Sequence, residues 1–195
     1  MLKKNLCGLF AALFAAGFAG CGGGPRTYTV VDGTMLGTTL HVVADVEGVS
    51  SQELYAAVME LDREAKASMS IFDPASLLSR LNRNETDSVD RHIAFNLRLA
   101  DSIGALSGGR YDVTVKPLVE AWGFAGKAAQ AHPNVDSILD FVGREKVRIE
   151  RGRLVKSDPR VQLDFNSVAK GYTVDLLAEL VERFGAENYI VDIGG

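Results

Sequence analysis

One stretch constrains the fold more than any other, residues 161–175, which read VQLDFNSVAKGYTVD. Val161 to Phe165 alternates apolar and polar residues in the pattern of a half-buried strand. Val168, Tyr172, Leu176, Leu180 and Phe184 then recur at helical spacing. Asn166 and Ser167, between the two patterns, offer a helix cap. The predicted unit is strand, tight turn, helix. Such a junction points the N–H groups of the first helical turn outward, where the helix dipole favours negative charge, and it sets Asp164 and Lys170 on either side of the turn. Two readings fit: a site for an anionic ligand, or an ordinary surface pair beside a routine turn.

Composition narrows the partners. At 195 residues with 47% hydrophobic content, the chain can build a packed core as one domain or as part of a larger one. A net charge of −4 supplies no basic footprint and argues against nucleic acid. Residues 1–20 read as a signal peptide: Lys3 and Lys4 precede an apolar run from Leu9 to Phe18, too short to span a bilayer stably, and small residues lead into Cys21. Phe18, Ala19, Gly20 and Cys21 resemble the lipobox of bacterial lipoproteins, in which the cysteine becomes the lipidated first residue. An ordinary secretory signal with a coincidental cysteine is the alternative. With Cys7 in the signal and Cys21 acylated, no thiol remains for a disulfide, a metal or a nucleophile. Residues 21–26 are then the lipidated cysteine and its tether. Residues 27–195 form a domain held at a membrane surface outside the cytoplasm, on the periplasmic side.

Further along, Thr27–Val31 and Thr38–Ala44 are rich in β-branched and aromatic residues and read as a hairpin turning at Asp32 and Gly33. Met35 lies between Gly33 and Gly37, as a soft apolar contact where the backbone approaches a ligand or as a core filler. Ser50 and Glu53 form a capping-box pattern at the start of a helix whose buried stripe is Leu54, Val58, Leu61 and Ala65 and which runs out near Ala67. Asp73 and Pro74 break regular structure before a short helix from Ser76, with Phe72 at the break. Asp90 caps a second long helix, with Ile93, Leu97, Ala100 and Ile103 inward and Gly108 and Gly109 at its end. Tyr111 to Val115 reads as a short strand and Pro117 as the start of a helical turn. Asp112, among apolar neighbours, needs a specific partner, either a ligand or a helix that it caps. After a polar linker and a short helix from Val135 to Val142, Lys146–Glu150 and Leu154–Lys156 form a hairpin across Arg151, Gly152 and Arg153. Tyr189–Ile193 is an apolar strand that reaches Gly194 and Gly195 without a closing element, as expected of part of a longer domain. Hairpins and long amphipathic helices alternate without a regular βαβ rhythm, so the predicted class is α+β, a mixed and mostly antiparallel sheet with packed helices.

Several segments together match one family. They are Met35 to Thr38, Met69 to Asn82, Tyr111 to Phe124, Leu163 to Asp175 and Val191 to Gly195. In this order, behind a lipoprotein-like signal, they resemble the ApbE family of flavin transferases. The resemblance implies a magnesium-dependent enzyme that splits FAD and transfers FMN, through its phosphate, to a threonine or serine of a partner protein. Subunits of Rnf-type or sodium-pumping NADH:quinone oxidoreductase complexes are the implied acceptors. Hydrolysis of FAD to FMN and AMP is one alternative, and a non-catalytic FAD-binding lipoprotein is another.

By position, the resemblance places Met35 and Phe72 on the flavin pocket, with Phe72 where relatives often carry tyrosine. It places Arg110, Tyr111, Asp112, Asp164 and Lys170 against FAD, Lys170 as the phosphate-stabilising candidate, and gives the carbonyl of Ser167 to magnesium. The remaining metal ligands and a catalytic histidine lie in a C-terminal half that this sequence lacks, so the chain by itself is expected to be inactive or a weak flavin binder. The chemistry is compatible: charge on nonbridging oxygens is stabilised by a cation, a lysine and a helix N-terminus together, and Mg²⁺ prefers oxygen donors. His41, His92 and His132 are scattered, which argues against zinc, and neither a Walker A loop nor a dinucleotide-fold glycine signature is present.

Overall fold

The structure, a computed structural model, describes residues 26–195; the signal, Cys21 and most of the tether lie outside the described residues. Strands β1 (Thr29–Met35) and β2 (Thr38–Ala44) pair antiparallel with Met35 opposite Thr38. The hairpin therefore turns at Leu36 and Gly37, and the predicted turn at Asp32 and Gly33 lies inside β1. A two-residue turn of type I′, whose twist matches that of the strands, needs positive φ at both central residues. Leu36 and Gly37 have φ of 52° and 80°. Gly33 serves another purpose, since a Cβ there would stand 3.2 Å from Cε2 of Tyr55.

The helices among the described residues are α1 (Ser51–Met69), α2 (Leu77–Asn82), α3 (Arg91–Leu106), α4 (Lys116–Ala121), α5 (Val135–Leu139) and α6 (Asn166–Arg183). Their starts follow local chemistry. Ser50 Oγ accepts the Glu53 N–H, Ser76 Oγ that of Ser79 and the Asp90 carboxylate that of Ile93, each satisfying a donor the helix itself leaves free. Gly109 donates to the Gly104 carbonyl at 2.8 Å with φ of 82°, which closes α3. Strand β5 (Tyr189–Ile193) joins β2 antiparallel, giving the order β1-β2-β5, while β3 (Val147–Glu150) and β4 (Arg153–Lys156) form a separate antiparallel pair. The α+β class holds. No helix among the described residues is long and apolar enough to cross a membrane.

Two predicted strands do not form: Val113 and Thr114 make a turn, Val115 has helical backbone with φ of −70° and ψ of −2°, and neither segment belongs to a ladder. Between 111–115 and 161–165 there is one parallel bridge, Val115 to Gln162, and one further bond, from Asp164 N–H to the Val113 carbonyl at 2.8 Å. Side chains take the place of a neighbouring strand. Asp112 Oδ1 accepts both the N–H and the hydroxyl of Thr114, bending that segment. The buried amide of Asn82 donates to the Leu163 carbonyl at 2.9 Å and accepts the Leu163 N–H at 2.7 Å. The alternation did report burial correctly, because Val161, Leu163 and Phe165 are fully buried.

Two apolar clusters result. One lies among the helices, with Met69, Leu78, Ile93, Leu163, Phe165 and Val168 at its centre; the other lies between the sheet and helices α1 and α6, with Met35, Val42, Leu54, Val58, Leu177 and Val181. Each fully buried Leu or Phe contributes about 2 kcal/mol of transfer free energy. Leu36 and Leu176 pack against both clusters, so the β1–β2 turn sits at their junction.

Candidate functional site

Helix α6 begins differently from the other long helices. Its N-cap is Phe165, whose side chain cannot cap, and neither Asn166 nor Ser167 does so. Asp164 supplies the missing acceptor, with Oδ1 taking the Asn166 N–H at 2.8 Å. Asp164 is therefore engaged at the helix start and forms no ion pair with Lys170 among the described residues, so the surface-pair reading is not realised. Lys170 is exposed one turn further on, with Nζ near the chain leaving β5: a Cβ on Gly194 would meet it at 3.0 Å.

The Arg110–Asp112 segment reaches the same helix start. Tyr111 OH and Ser167 Oγ are 2.7 Å apart, and the Asp164 N–H bonds to Val113. Tyr111 and Asp112 are half-buried, whereas Arg110 and Ser167 are exposed. Arg110 reaches back toward the Ser107 carbonyl at 3.4 Å. Among the described residues no three His, Cys, Asp or Glu side chains converge to hold a metal ion, so the Ser167 carbonyl has no cluster of ligands around it there.

Beside this helix start lies a cavity of about 560 Å³. One wall comes from the β1–β2 turn and α1, through Leu36, Gly37, Ala65, Lys66 and Met69; the opposite wall is Asn166, Ala169 and Lys170; Ser70, Phe72 and Asp73 form the rim. Phe72 is 68% exposed, with its ring uncovered at the cavity edge. Its loop is built to present it. Ser70 Oγ accepts the N–H groups of Phe72 and Asp73, while the Ser70 carbonyl accepts the hydroxyls of Ser76 and Ser79. An apolar floor with an uncovered aromatic ring, two lysines and a helix N-terminus close by suits a planar ring system that carries phosphate.

The predicted residues are thus gathered unevenly. Phe72 and Lys170 line the cavity, while Asp164, Ser167, Arg110, Tyr111 and Asp112 cluster around the start of α6 beside it. Met35 does not line it. Its side chain is fully buried under the sheet, and Leu36 and Gly37 face the cavity in its place. The inward phase of β1, with Val31 and Met35 on the core side, decides this. Sequence reasoning missed Lys66 and Asp62. Their i,i+4 spacing was visible, but its direction toward the cavity depends on where the hairpin turns.

Other features lie elsewhere. A depression of about 940 Å³ near Arg26, Asp45 and Phe184 and another of about 460 Å³ near Pro117, Phe141 and Arg160 contain none of the predicted residues. His92 is a core residue, 2.9 Å from Tyr172 OH, and burial depresses its pKa. Burial likewise raises that of Tyr172.

Comparison with known proteins identifies the family and agrees with the fold. A profile of the ApbE family matches residues 36–195. The FAD:protein FMN transferase of Haemophilus influenzae is 32% identical over all of this chain and 60% of its own length. That of Vibrio cholerae is 32% identical over 88% of this chain and 54% of its own. The solved structure of the flavin transferase ApbE from Vibrio cholerae superposes with a TM-score of 0.80 at 30% identity, covering 88% of this chain and 58% of that one. The apo flavinyl transferase ApbE of Pseudomonas stutzeri shares the fold, with a TM-score of 0.81 at 24% identity, covering 90% of this chain and 61% of that one. The chain thus spans between half and two thirds of the length of these relatives.

Proposed function

The chain belongs to the ApbE family, and on that premise we propose that the whole protein is a FAD:protein FMN transferase. The observation that carries the reading is the cavity in which Phe72, Met69 and Leu36 lie beside Lys170 and the start of α6. In the proposed reaction a threonine or serine hydroxyl of an acceptor protein attacks the phosphorus on the FMN side of the FAD pyrophosphate. The new P–O bond joins FMN to the acceptor, the bond to AMP breaks, AMP leaves with the electron pair, and the hydroxyl proton passes to a base.

The described residues bind and orient. The ring of Phe72 and the side chains of Met69 and Leu36 hold the isoalloxazine out of water. The Lys170 ammonium sits where the phosphates would lie, and its charge stabilises the oxygens as negative charge grows on them. Asp164 fixes the start of α6, and Tyr111 ties the 110–112 segment to it through Ser167. Magnesium dependence is part of the proposal, the ion supplying charge neutralisation at the pyrophosphate and the Ser167 carbonyl one oxygen ligand. The described residues alone do not complete its coordination. Lipidation at Cys21, a place on the periplasmic side of a membrane, and acceptors of the Rnf or sodium-pumping NADH:quinone oxidoreductase type complete the proposal.

The test is incubation of the full-length protein with FAD, Mg²⁺ and an acceptor domain, read by mass spectrometry. A mass gain of FMN less one water on the acceptor threonine, abolished by chelation of the metal, supports transfer. FMN and AMP appearing equally without acceptor would support hydrolysis instead, and tight FAD binding indifferent to magnesium, with no turnover, would indicate a carrier.

A further inference from the structure

The carboxylate of Asp62, on α1, lies under the β1–β2 turn and is 8% exposed. It has two partners. Oδ1 accepts the backbone N–H of Leu36 at 2.9 Å, and Oδ2 accepts Lys66 Nζ at 2.6 Å. Both partners line the cavity, whereas Asp62 itself does not. Leu36 is a branched, non-glycine residue at φ of 52°, a conformation that persists only where the surroundings hold it.

We propose that Asp62 is a positioning residue of the flavin site, locking the strained Leu36–Gly37 turn and the Lys66 ammonium into one preformed wall. The inference rests on the reading of this cavity as the flavin site. A carboxylate suits the task because its two oxygens accept from two directions at once, and burial makes each bond stronger and its loss more costly. Lys66 gains a fixed position from the pair: at 47% side-chain exposure an untethered lysine would sample many rotamers, and the ligand would have to order it. Preorganisation of this kind appears as affinity without Asp62 touching the ligand.

The experiment uses the full-length protein carrying Asp62→Ala, Asp62→Asn or Lys66→Met, with amide hydrogen exchange measured without ligand and FAD affinity by fluorescence quenching. Asp62→Asn keeps an acceptor for the Leu36 N–H but no charge for Lys66, so it should retain the exchange protection of Leu36 and bind FAD as Lys66→Met does, a few-fold more weakly than the parent. Asp62→Ala should lose that protection and bind at least about tenfold more weakly, as expected for loss of a hydrogen bond to a charged acceptor. Unchanged protection at Leu36 in Asp62→Ala, or an affinity no lower than that of Lys66→Met, overturns the inference. Failure of the parent protein to bind FAD would instead overturn the functional reading, and exchange at Leu36 would still decide whether Asp62 holds the turn.

Discussion

The two hairpins of this molecule turn on nearly the same backbone and do different things. Leu36 and Gly37 have φ of 52° and 80°, and Arg151 and Gly152 have φ of 49° and 76°. Both are two-residue turns of the X-Gly kind, and a Cβ on either glycine would meet nothing within 4 Å. Their surroundings differ. Arg151 is exposed, and the second turn clamps the polar loop before α3, with Gly152 accepting the Val89 N–H and Arg153 paired to Asp87. Leu36 is packed at the junction of both cores, its N–H held by a buried carboxylate, and with Gly37 it walls the cavity. Turn chemistry makes a hairpin, and what packs against it makes a site.

The sharpest way to break this comparison is to remove the one partner the second turn lacks. Asp62→Ala should cost about 2–3 kcal/mol in denaturant unfolding, because a hydrogen bond to a charged acceptor and its tethered lysine are lost together. A cost below about 0.5 kcal/mol would make the two turns equivalent.

Next in size are the paired glycines. Gly37→Ala and Gly152→Ala should each cost about 1 kcal/mol, since each forces a Cβ into left-handed backbone with no clash to add. Only Gly37→Ala should also weaken FAD binding, and equal affinities in the two variants would contradict the assignment of the wall.

Lys170→Ala should do the reverse of Gly152→Ala. It should lower FAD affinity roughly tenfold through loss of the phosphate contact. Thermal stability should change by less than about 0.5 kcal/mol, as for an exposed side chain. An unchanged affinity would remove Lys170 from the site.

The smallest effect separates the hairpins by pH. Lys156, on β4, donates to the Leu81 carbonyl and to Asn84 Oδ1, and burial draws its pKa from 10.5 down to about 8. Between those values the unfolded chain binds more protons than the folded one, so stability should rise as pH climbs through that window and level off above it. Because the group is only partly buried, solvent screening limits the gain to about 0.5 kcal/mol. Lys156→Met should flatten the slope in pH-dependent melts, and a slope that survives would place its origin elsewhere.

Much of this arrangement was legible in the residues. Ser50, Ser76 and Asp90 announced three helix starts, because a short polar side chain at an N-cap acts within three residues of itself. Phe72 and Lys170 were placed at the site by resemblance to the family, and both line the cavity. Met35 was open between a ligand contact and a core filler until the family resemblance put it on the pocket, and the strand phase, set by a turn beyond the one that Asp32 and Gly33 imitate, makes it the core filler. The 111–115 and 161–165 segments looked like strands, since alternation records burial and says nothing of which group receives each N–H. Asn82, distant by 81 positions from Leu163, was the answer there.

The sequence by itself determined the α+β class, the helix starts capped by Ser50, Ser76 and Asp90, and the existence of both hairpins, and it left the stretch around Lys170 open between an anion site and a surface pair. These follow from interactions that span a few residues and from apolar periodicity, which any chain carries with it. Only the tertiary structure decided that Leu36 and not Met35 faces the cavity, that Asp164 caps rather than pairs, and that Asp62 holds the wall. Each of those depends on groups brought together by packing across 26 positions or more, or on a choice between equally good local partners that only packing could make.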